Sequence, residues 1–238
     1  MDYSVLHHLD QLGTYAQDQI RLGRLVGTFG LREDWAKTDE YDHIAGDTDQ
    51  SNKANRLTWR SGLVYQFDSG LAPYVSYSTS FQPGLGNTYD DSALKPTTGQ
   101  SFEAGVKYQQ PGSKSFAMLS LYDILQKNVT EPDYVHADGN YMASLWLNKT
   151  FRQGPLNGVG FGAGVRYIGS QYGDQANTIK MPSVTLVDAA IHYDYDRHWR
   201  FSVNASNLFD RIYVNCQSST FCAYGARRTV IGRVTYKW

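Results

Sequence analysis

The sequence has no apolar run long enough to cross a membrane as a helix. Its mean hydropathy is −0.47, whereas a membrane-spanning helix needs about 20 consecutive, mostly apolar residues. It has no excess of charge of either sign, because the formal net charge of the 238 residues is −1, so there is no electrostatic case for a nucleic-acid partner. No linker rich in proline, glycine or serine divides the chain, and we therefore expect one structural unit.

Cysteine is scarce. The chain has two, Cys216 and Cys222, and both lie in one polar stretch near its end. Their separation by five residues suits a disulfide that closes a small ring. Such a bond would indicate an oxidising compartment, consistent with the cell surface. Two free thiols are the alternative.

Alternation of apolar and polar residues is abundant. In the last segment an apolar row alternates with a polar row: Trp238, Tyr236, Val234 and Val230 against Lys237, Thr235, Arg233 and Thr229. Successive side chains of a strand point to opposite faces, so the two rows would lie on opposite faces of a sheet. About eleven such segments begin near residues 12, 24, 56, 71, 101, 115, 140, 158, 184, 198 and 227. Each has roughly the nine to eleven residues that cross a bilayer at a tilt.

The connections between these segments alternate between short and long. Tight turns are predicted at 22–24, 68–70, 111–114, 153–157 and 196–198, and long polar loops near 36–54, 82–99, 169–182 and 209–225, with a shorter one near 126–138. Outer-membrane barrels have short turns on the periplasmic side and long loops outside, whereas a soluble sandwich has no reason to sort loops by side. The aromatic content of 14% suits girdles at two membrane interfaces. The sequence therefore predicts an all-β protein made of antiparallel transmembrane β-barrel strands.

The end of the chain carries a specific motif. It consists of Asn207-Leu208-Phe209-Asp210-Arg211-Ile212-Tyr213, the loop between the two cysteines, Tyr224-Gly225-Ala226-Arg227-Arg228 and a last strand that ends in an aromatic residue. Weaker motifs follow one another in order upstream, at residues 15–19, 30–35, 73–83, 102–108, 142–146 and 166–174. Together these segments resemble TonB-dependent siderophore receptors, and most closely the branch that takes up ferrichrome and other hydroxamates.

This resemblance implies a part of a larger barrel. Members of the family have a 22-stranded barrel that is filled by an N-terminal plug carrying the energy-coupling box. Residues 1–238 supply roughly half of those strands, and we recognise no plug, coupling box or secretory signal among them. We expect the chain to be the C-terminal part of the receptor barrel without the plug domain. We also expect one family hairpin to be missing between the segments around Val129 and Met142.

The implied function is uptake of ferric hydroxamate-type siderophores across the bacterial outer membrane, energised by the TonB system through a plug. By itself the chain is expected to be incomplete and inactive. The implied partners are outer-membrane lipid and the ferric siderophore as ligand, with no directly bound cofactor or metal. The resemblance suggests Phe221 and Tyr224 as siderophore-binding residues, with loop packing as their alternative role. Trp146 is a third candidate because it shares parity with Ser144 and Asn148 and so points into the lumen.

Other residues are assigned structural roles. Trp35, Tyr77 and Phe81 have the parity of the apolar rows and are predicted to lie in the interface girdle. A charged row is predicted to line the lumen, where the resemblance implies bonds to the plug or between its own members: Arg56, Arg60, Glu103, Lys107, Arg166, Asp188, Asp194, Arg200 and Arg233. The acidic residues between 39 and 49 lack ordered ligand spacing and are predicted to form a solvated loop.

Two other functions remain as alternatives. One is a small passive outer-membrane pore. The other is an outer-membrane barrel hydrolase, for which His192, between Asp188 and Asp194 on the lumen face, is the only histidine suitably placed. No serine or aspartate motif accompanies it, so we do not expect an enzyme.

Overall fold

The computed structural model describes residues 5–42, 47–84, 94–131, 134–172, 179–216 and 222–238. The strands are β1 (Val5–Leu22), β2 (Leu25–Asp42), β3 (Asp47–Tyr65), β4 (Leu71–Gln82), β5 (Thr97–Tyr108), β6 (Phe116–Glu131), β7 (Tyr134–Thr150), β8 (Val159–Ile168), β9 (Gln171–Tyr172), β10 (Lys180–Met181), β11 (Val184–Asp194), β12 (Trp199–Ser206), β13 (Val214–Cys216), β14 (Cys222–Tyr224) and β15 (Thr229–Tyr236). Eleven of them form one sheet in the order β1-β2-β3-β4-β5-β6-β7-β8-β11-β12-β15. The pairs β9–β10 and β13–β14 are small hairpins outside this sheet.

The predicted number of main strands is confirmed. Every neighbouring pair in the eleven-stranded sheet is antiparallel. Strands β4, β8, β11 and β12 begin within one residue of the positions that the alternation indicates. A shift of one residue between two strands would move every side chain of one strand to the other face, so the two alternating rows also specify the register.

The tight turns lie where the sequence predicts them. Gly23 between β1 and β2, Gly70 between β3 and β4, and Gly112 between β5 and β6 have φ angles of 61°, 88° and 75°. Glycine adopts positive φ without the steric cost of a Cβ atom, so these turns reverse the chain within a few residues. A single 3-10 turn at Gly154–Leu156 joins β7 to β8 at the same end of the sheet.

Two of the predicted loops are mostly strand. β2 and β3 pair with each other as far as Asp42 and Asp47, so the prediction of a loop over residues 36–54 is wrong. The ladder between β6 and β7 also fills nearly all of residues 126–138, where the sequence predicts a shorter loop. A ladder satisfies backbone groups whatever the side chains are. Only the membrane requires the alternation of apolar residues. These hairpins therefore continue as strands after the alternation has ended.

Exposure is inverted relative to a soluble sheet. Along β8, Gly160, Gly162 and Gly164 are buried, whereas the large apolar side chains that alternate with them, such as Phe161 and Val165, are exposed. The main strands repeat this arrangement, which leaves one face covered with exposed apolar side chains. Soluble monomers rarely display an apolar surface of this extent. A barrel wall displays one to the lipid.

The aromatic residues assigned to the interface lie on this apolar face. Trp35 is exposed there and Phe81 is half-buried, and the ring of Tyr77 packs on that of Trp59 with centroids 4.9 Å apart. No helix in the described ranges is long and apolar enough to span a membrane.

We expect the connection between β2 and β3 to lie outside the cell and the turn between β3 and β4 to lie in the periplasm. Ala45→Cys and Ser69→Cys, each in a background with Cys216 and Cys222 replaced by serine, are the matched variants. A membrane-impermeant maleimide added to intact cells should label position 45, and should label position 69 only after the outer membrane is opened. Labelling of position 69 alone on intact cells would contradict the orientation.

Candidate functional site

The polar face of the sheet carries charged side chains that pair with one another across neighbouring strands. On β8 and β11, Arg166 Nε and Nη2 donate to the two carboxylate oxygens of Asp188 at 2.5 and 3.0 Å. On β11 and β12, Arg200 makes the same two-point contact with Asp194 at 2.5 and 2.8 Å. Two parallel bonds fix both the distance and the orientation of each pair.

A second pairing cluster lies on β4, β5 and β6. The Tyr74 hydroxyl is hydrogen-bonded to the Glu103 carboxylate and lies 2.6 Å from Ser120 Oγ. The Lys107 ammonium lies 4.9 Å from the centre of the Tyr74 ring. Ser120 is fully buried. Because the Tyr74 hydroxyl donates its only proton to Glu103, Ser120 Oγ donates to Tyr74, and this bond satisfies a polar group that water does not reach. The expected lumen row thus includes Glu103 and Lys107, joined through a tyrosine.

The first strands contribute a third cluster that sequence reasoning missed. Arg32 Nε and Nη2 donate to Asp34 at 2.7 Å each, and Gln11 Nε2 donates to Asp34 Oδ1 at 2.9 Å. Asp34 is 4% exposed. Residues 32 and 34 share one face of β2, and the charged pair at that spacing was the signal available in the sequence.

Trp146 lies on the polar face of β7, as its parity predicts. Its indole ring lies against Gly162 and Gly164 of the neighbouring strand β8. A Cβ atom at Gly162 would come within 2.5 Å of Trp146 Cζ2, and one at Gly164 would collide with Cε3. The glycines therefore make room for the ring to lie flat on the wall, a cross-strand arrangement in which an aromatic side chain covers glycine backbone.

His192 of β11 lies opposite Gly160, the next residue in the same row of glycines on β8. Its ring fills the space above Gly160. Its Nε2 atom is buried and has no hydrogen-bond partner in the described part of the chain. The two carboxylates expected beside it, Asp188 and Asp194, are held by arginines. No base–carboxylate relay of the kind that a hydrolase needs is therefore assembled around His192.

The motif at residues 207–210 closes the base of the connection between β12 and β15. Asn207 has φ 50° and is 3% exposed. Its amide nitrogen Nδ2 donates to the carbonyl oxygens of Arg211 and Ala226 at 2.8 and 3.0 Å, and its Oδ1 accepts from the Arg211 amide at 2.8 Å. Asparagine tolerates positive φ better than most residues. One side chain therefore joins both ends of the loop.

Asp210 binds two residues at the other end of the same loop, Arg227 and Arg228. Its carboxylate accepts from Arg227 Nε at 2.8 Å and from the Arg228 backbone amide at 2.9 Å. These bonds hold the pKa of Asp210 well below its usual range, chiefly through the Arg227 guanidinium. The carboxylate therefore stays ionised at neutral pH, and the bond to Arg227 would be lost only as the pH falls below the ordinary range of an aspartate.

The loop base is connected to the polar face. The backbone amide of Asn207 donates to Asp188 Oδ1 at 2.9 Å, and Asp188 is the partner of Arg166. The motif thus joins the loop to an ion pair of the wall in which Asp188 is largely covered and Arg166 is exposed. Sequence reasoning singled out the motif but not this role, because the partners of Asn207 come from distant positions that only the fold brings together.

The siderophore-binding candidates lie at different places. Tyr224 ends β14 and is 76% exposed, whereas Trp146 is half-buried on the wall. The described ring contacts include none between them. Phe221 lies outside the described residues. Cys216 of β13 is directly opposite Cys222 of β14 in the hairpin, and Cys222 is disulfide-bonded.

The described residues contain no group of three histidine, cysteine, aspartate or glutamate side chains that could hold a metal ion. The acidic stretch that begins near residue 39 instead contacts side chains of its own strand and of β1. Lys37 Nζ is 2.6 Å from Asp39 Oδ2, and His7 Nδ1 is 3.6 Å from Glu40 Oε2.

Comparison with protein families gives one match, to the model described as TonB dependent receptor-like, beta-barrel. It covers residues 3–141 and 137–208. The ferrichrome outer membrane transporter/phage receptor of Escherichia coli is 32% identical over 99% of this chain and 39% of its own length. The ferrioxamine receptor of Yersinia enterocolitica is 33% identical over 95% of this chain and 40% of its own. The chain therefore spans about two fifths of the length of these relatives.

Solved structures of similar shape include a ferric citrate transporter and a ferric-catecholate import receptor. The ferric citrate transporter FecA in its unliganded form has a TM-score of 0.56 at 15% identity, over 100% of this chain and 46% of that one. The ferric-catecholate import receptor Fiu of E. coli in its closed form has a TM-score of 0.53 at 19% identity, over 98% of this chain and 45% of that one. At this identity the likeness shows the fold, which is a wall of transmembrane barrel strands.

We expect Asn207→Ala to loosen the loop between β12 and β15. The substitution removes three hydrogen bonds between the buried Asn207 side chain and the backbone of the two ends of the loop, each worth about 0.5–1.5 kcal/mol net. Limited proteolysis of the membrane-inserted chain should cut within residues 209–225 faster than in the parent.

The control is Asn204→Ala, which changes an exposed asparagine of β12 and should leave the cleavage rate unchanged. Equal cleavage of the Asn207 and Asn204 variants would contradict the role of Asn207 as the link between the two ends of the loop.

Proposed function

Because the chain belongs to the TonB-dependent receptor β-barrel family, we propose that it is a wall segment of a receptor for ferric hydroxamate siderophores in the bacterial outer membrane. The observation that carries the proposal is its 32–33% identity, over nearly its whole length, to relatives named for ferrichrome and ferrioxamine. Both names refer to ferric hydroxamates. The relatives are a transporter and a receptor, in agreement with the expectation that the chain is not an enzyme.

The proposed ligand surface combines exposed aromatic rings with a paired polar wall. Ligand sites are lined by aromatic and apolar side chains with a few placed polar groups. Tyr224 is exposed at the end of β14, and Trp146 supplies a ring on the polar face. We include Phe221 with Tyr224, since only two residues separate Phe221 from Tyr224 in the sequence. The pairing of Cys216 with Cys222 would hold this hairpin in shape.

The charge pairs determine what the wall offers to a ligand. Arg166 and Arg200 are each engaged by a carboxylate, so on β8, β11 and β12 the polar face presents neutral pairs. A neutral region of the wall suits a ferric complex whose charge the hydroxamate oxygens already balance. The energy for inward transport would come from the TonB system through a plug, which would have to be supplied by chain other than the strands described here.

The two alternatives gain no support. A hydrolase would need His192 in contact with a free carboxylate, and its neighbours are engaged by arginines. A passive pore would need a closed sheet, and the eleven strands described here leave β1 and β15 as edges.

The ligand class can be tested in a chimera in which residues 1–238 replace the matched segment of the E. coli ferrichrome relative. Cells without their own hydroxamate receptors should bind iron-loaded ferrichrome or ferrioxamine when they make the chimera. Cells that make residues 1–238 alone with a signal peptide should not grow on ferrichrome or ferrioxamine as sole iron source.

An iron-loaded catecholate is the control for the specificity of binding. Normal insertion of the chimera without binding of either hydroxamate would contradict the ligand class, and growth supported by residues 1–238 alone would contradict the incomplete wall.

Single substitutions in the same chimera test the candidate residues. Tyr224→Ala, Phe221→Ala and Trp146→Ala should each weaken hydroxamate binding by roughly tenfold, as expected when an aromatic anchor is removed. Tyr195→Ala is the matched control, because Tyr195 is an exposed tyrosine beside a tight turn at the other end of the sheet. Unchanged affinity in the first three variants, measured by titration on whole cells, would assign these rings to packing.

A further inference from the structure

The polar face of β1, β2, β3 and β4 contains a cavity of about 470 Å³ that is separate from the aromatic candidates. One side of it is formed by Tyr15, Arg32 and Thr58, which lie opposite one another on neighbouring strands. The next row on the same face, which includes Gln17 and Arg60, forms the other side. Small-molecule sites have volumes of roughly 300–1,000 Å³, so this cavity is large enough for a group of a ligand.

Arg60 reaches across a glycine to the strand beyond it. A Cβ atom at Gly30 of β2 would lie 3.4 Å from Arg60 Cγ and Nε, so the Arg60 side chain passes over the backbone of Gly30. Its Nη2 group donates to Gln17 Oε1 on β1. A glutamine oxygen carries no net charge. This hydrogen bond therefore orients the guanidinium without balancing its charge.

The described lining of the cavity offers hydrogen-bond donors and contains no carboxylate. Because Gln17 Oε1 accepts from Arg60, the Nε2 group of Gln17 is left to donate. Tyr15 adds a hydroxyl, and the guanidinium of Arg60 has further N–H groups. Asp34 lies on the same face, but it is bound by Arg32. A lining of this kind suits a group that accepts hydrogen bonds and carries negative charge.

This part of the polar face also has an excess of positive charge. Arg32 is paired with Asp34, whereas none of the described ion pairs includes Arg56 or Arg60. On β8, β11 and β12 each paired arginine is balanced by a carboxylate. The wall is therefore neutral in one region and basic in another. The planar fork of an unpaired guanidinium matches the two oxygens of a carboxylate.

We propose that this cavity is a subsite for a carboxylate carried by the ligand, so that the receptor prefers ferric hydroxamates with a pendant carboxylate. Arg60 binds the carboxylate, and the Gln17 amide and the Tyr15 hydroxyl supply further donors. The proposal rests on the proposed function, because it concerns the ligand of the same receptor. It adds a preference for charge that the names of the relatives do not contain.

The position of the cavity assigns it to a pendant group rather than to the iron complex. Arg60 lies five residues before the end of β3 at Tyr65, and Trp146 lies four residues before the end of β7 at Thr150. The two side chains are thus at similar distances along their strands from the tight turns. β3 and β7 are four strands apart, which is about 19 Å along the wall at about 4.8 Å per strand. An iron complex at Trp146 leaves the cavity to an extended side chain.

Three forms of one siderophore test this preference in the chimeric receptor. Iron-loaded ferrioxamine B has a free ammonium group at one end, its N-acetyl derivative is neutral there, and its N-succinyl derivative has a carboxylate. The iron centre is the same in all three. Affinity measured by titration on whole cells should increase from the ammonium to the acetyl to the succinyl form. The succinyl form should bind about tenfold more tightly than the acetyl form, as expected for one charge-assisted hydrogen bond.

Substitutions locate the preference. Arg60→Gln should abolish the difference between the succinyl and acetyl forms, and Arg60→Lys, which keeps the charge, should retain most of it. Arg21→Gln is the matched control. Arg21 Nη1 also donates to a glutamine across β2, Gln66 Oε1 at 2.9 Å, but it lies outside the cavity. This variant should leave the preference unchanged.

Equal affinity for the three forms in the parent chimera would overturn the proposal and leave the hydroxamate class intact. Failure to bind any of the three would instead contradict the proposed function on which it rests. The comparison in the parent needs no variant, so it holds even where a substitution impairs folding. A preference that persists in a folded Arg60→Gln receptor would also overturn the proposal. So would a parent without preference whose heat-modifiable folded form is lost in Arg60→Gln, since a carboxylate of the protein would then fill the cavity.

Discussion

The structure depends on one constraint: in lipid, every backbone N–H and C=O group needs a partner within the protein. Antiparallel ladders meet that need across the sheet, and the β1–β2 ladder alone pairs residues 5–22 with residues 25–42. Because the ladders bear this requirement, the side chains are free to face lipid on one side and a polar interior on the other. The inverted exposure of Phe161 and Gly162 on β8 follows from this.

The polar face is organised by contacts between its own strands. Arg166 pairs with Asp188 and Arg200 pairs with Asp194, so that their charges neutralise each other, and the glycines of β8 let Trp146 lie flat on the wall. Asn207 extends the same network to the base of the cysteine-containing loop through Asp188. The wall and the loop that carries Tyr224 are therefore joined through consecutive hydrogen bonds, which gives the proposed ligand surface a rigid support.

Sequence alone predicts the strands well because alternation with period two is a local signal. The start of β4 at Leu71 and the turns at Gly23 and Gly112 follow directly from it. The length of the β2–β3 hairpin cannot be predicted from alternation, because the part of a ladder that extends beyond the membrane needs no apolar residues. The partners of Asn207 and the joining of Tyr74 to Glu103 could not be predicted either, because they depend on the register between strands distant in sequence.

The most direct test of the account is the solvent around β8 when it forms part of a closed barrel. Nitroxide labels placed singly from residue 159 to residue 168, in outer membranes that contain the chimeric receptor, report accessibility to oxygen in lipid and to a water-soluble nickel complex. If the apolar face lies in lipid, oxygen accessibility should have a period of two residues, high at Phe161, Ala163 and Val165 and low at the glycines between them. Equal accessibility along the strand, or oxygen favoured at the glycines, would contradict the assignment of the apolar face to lipid.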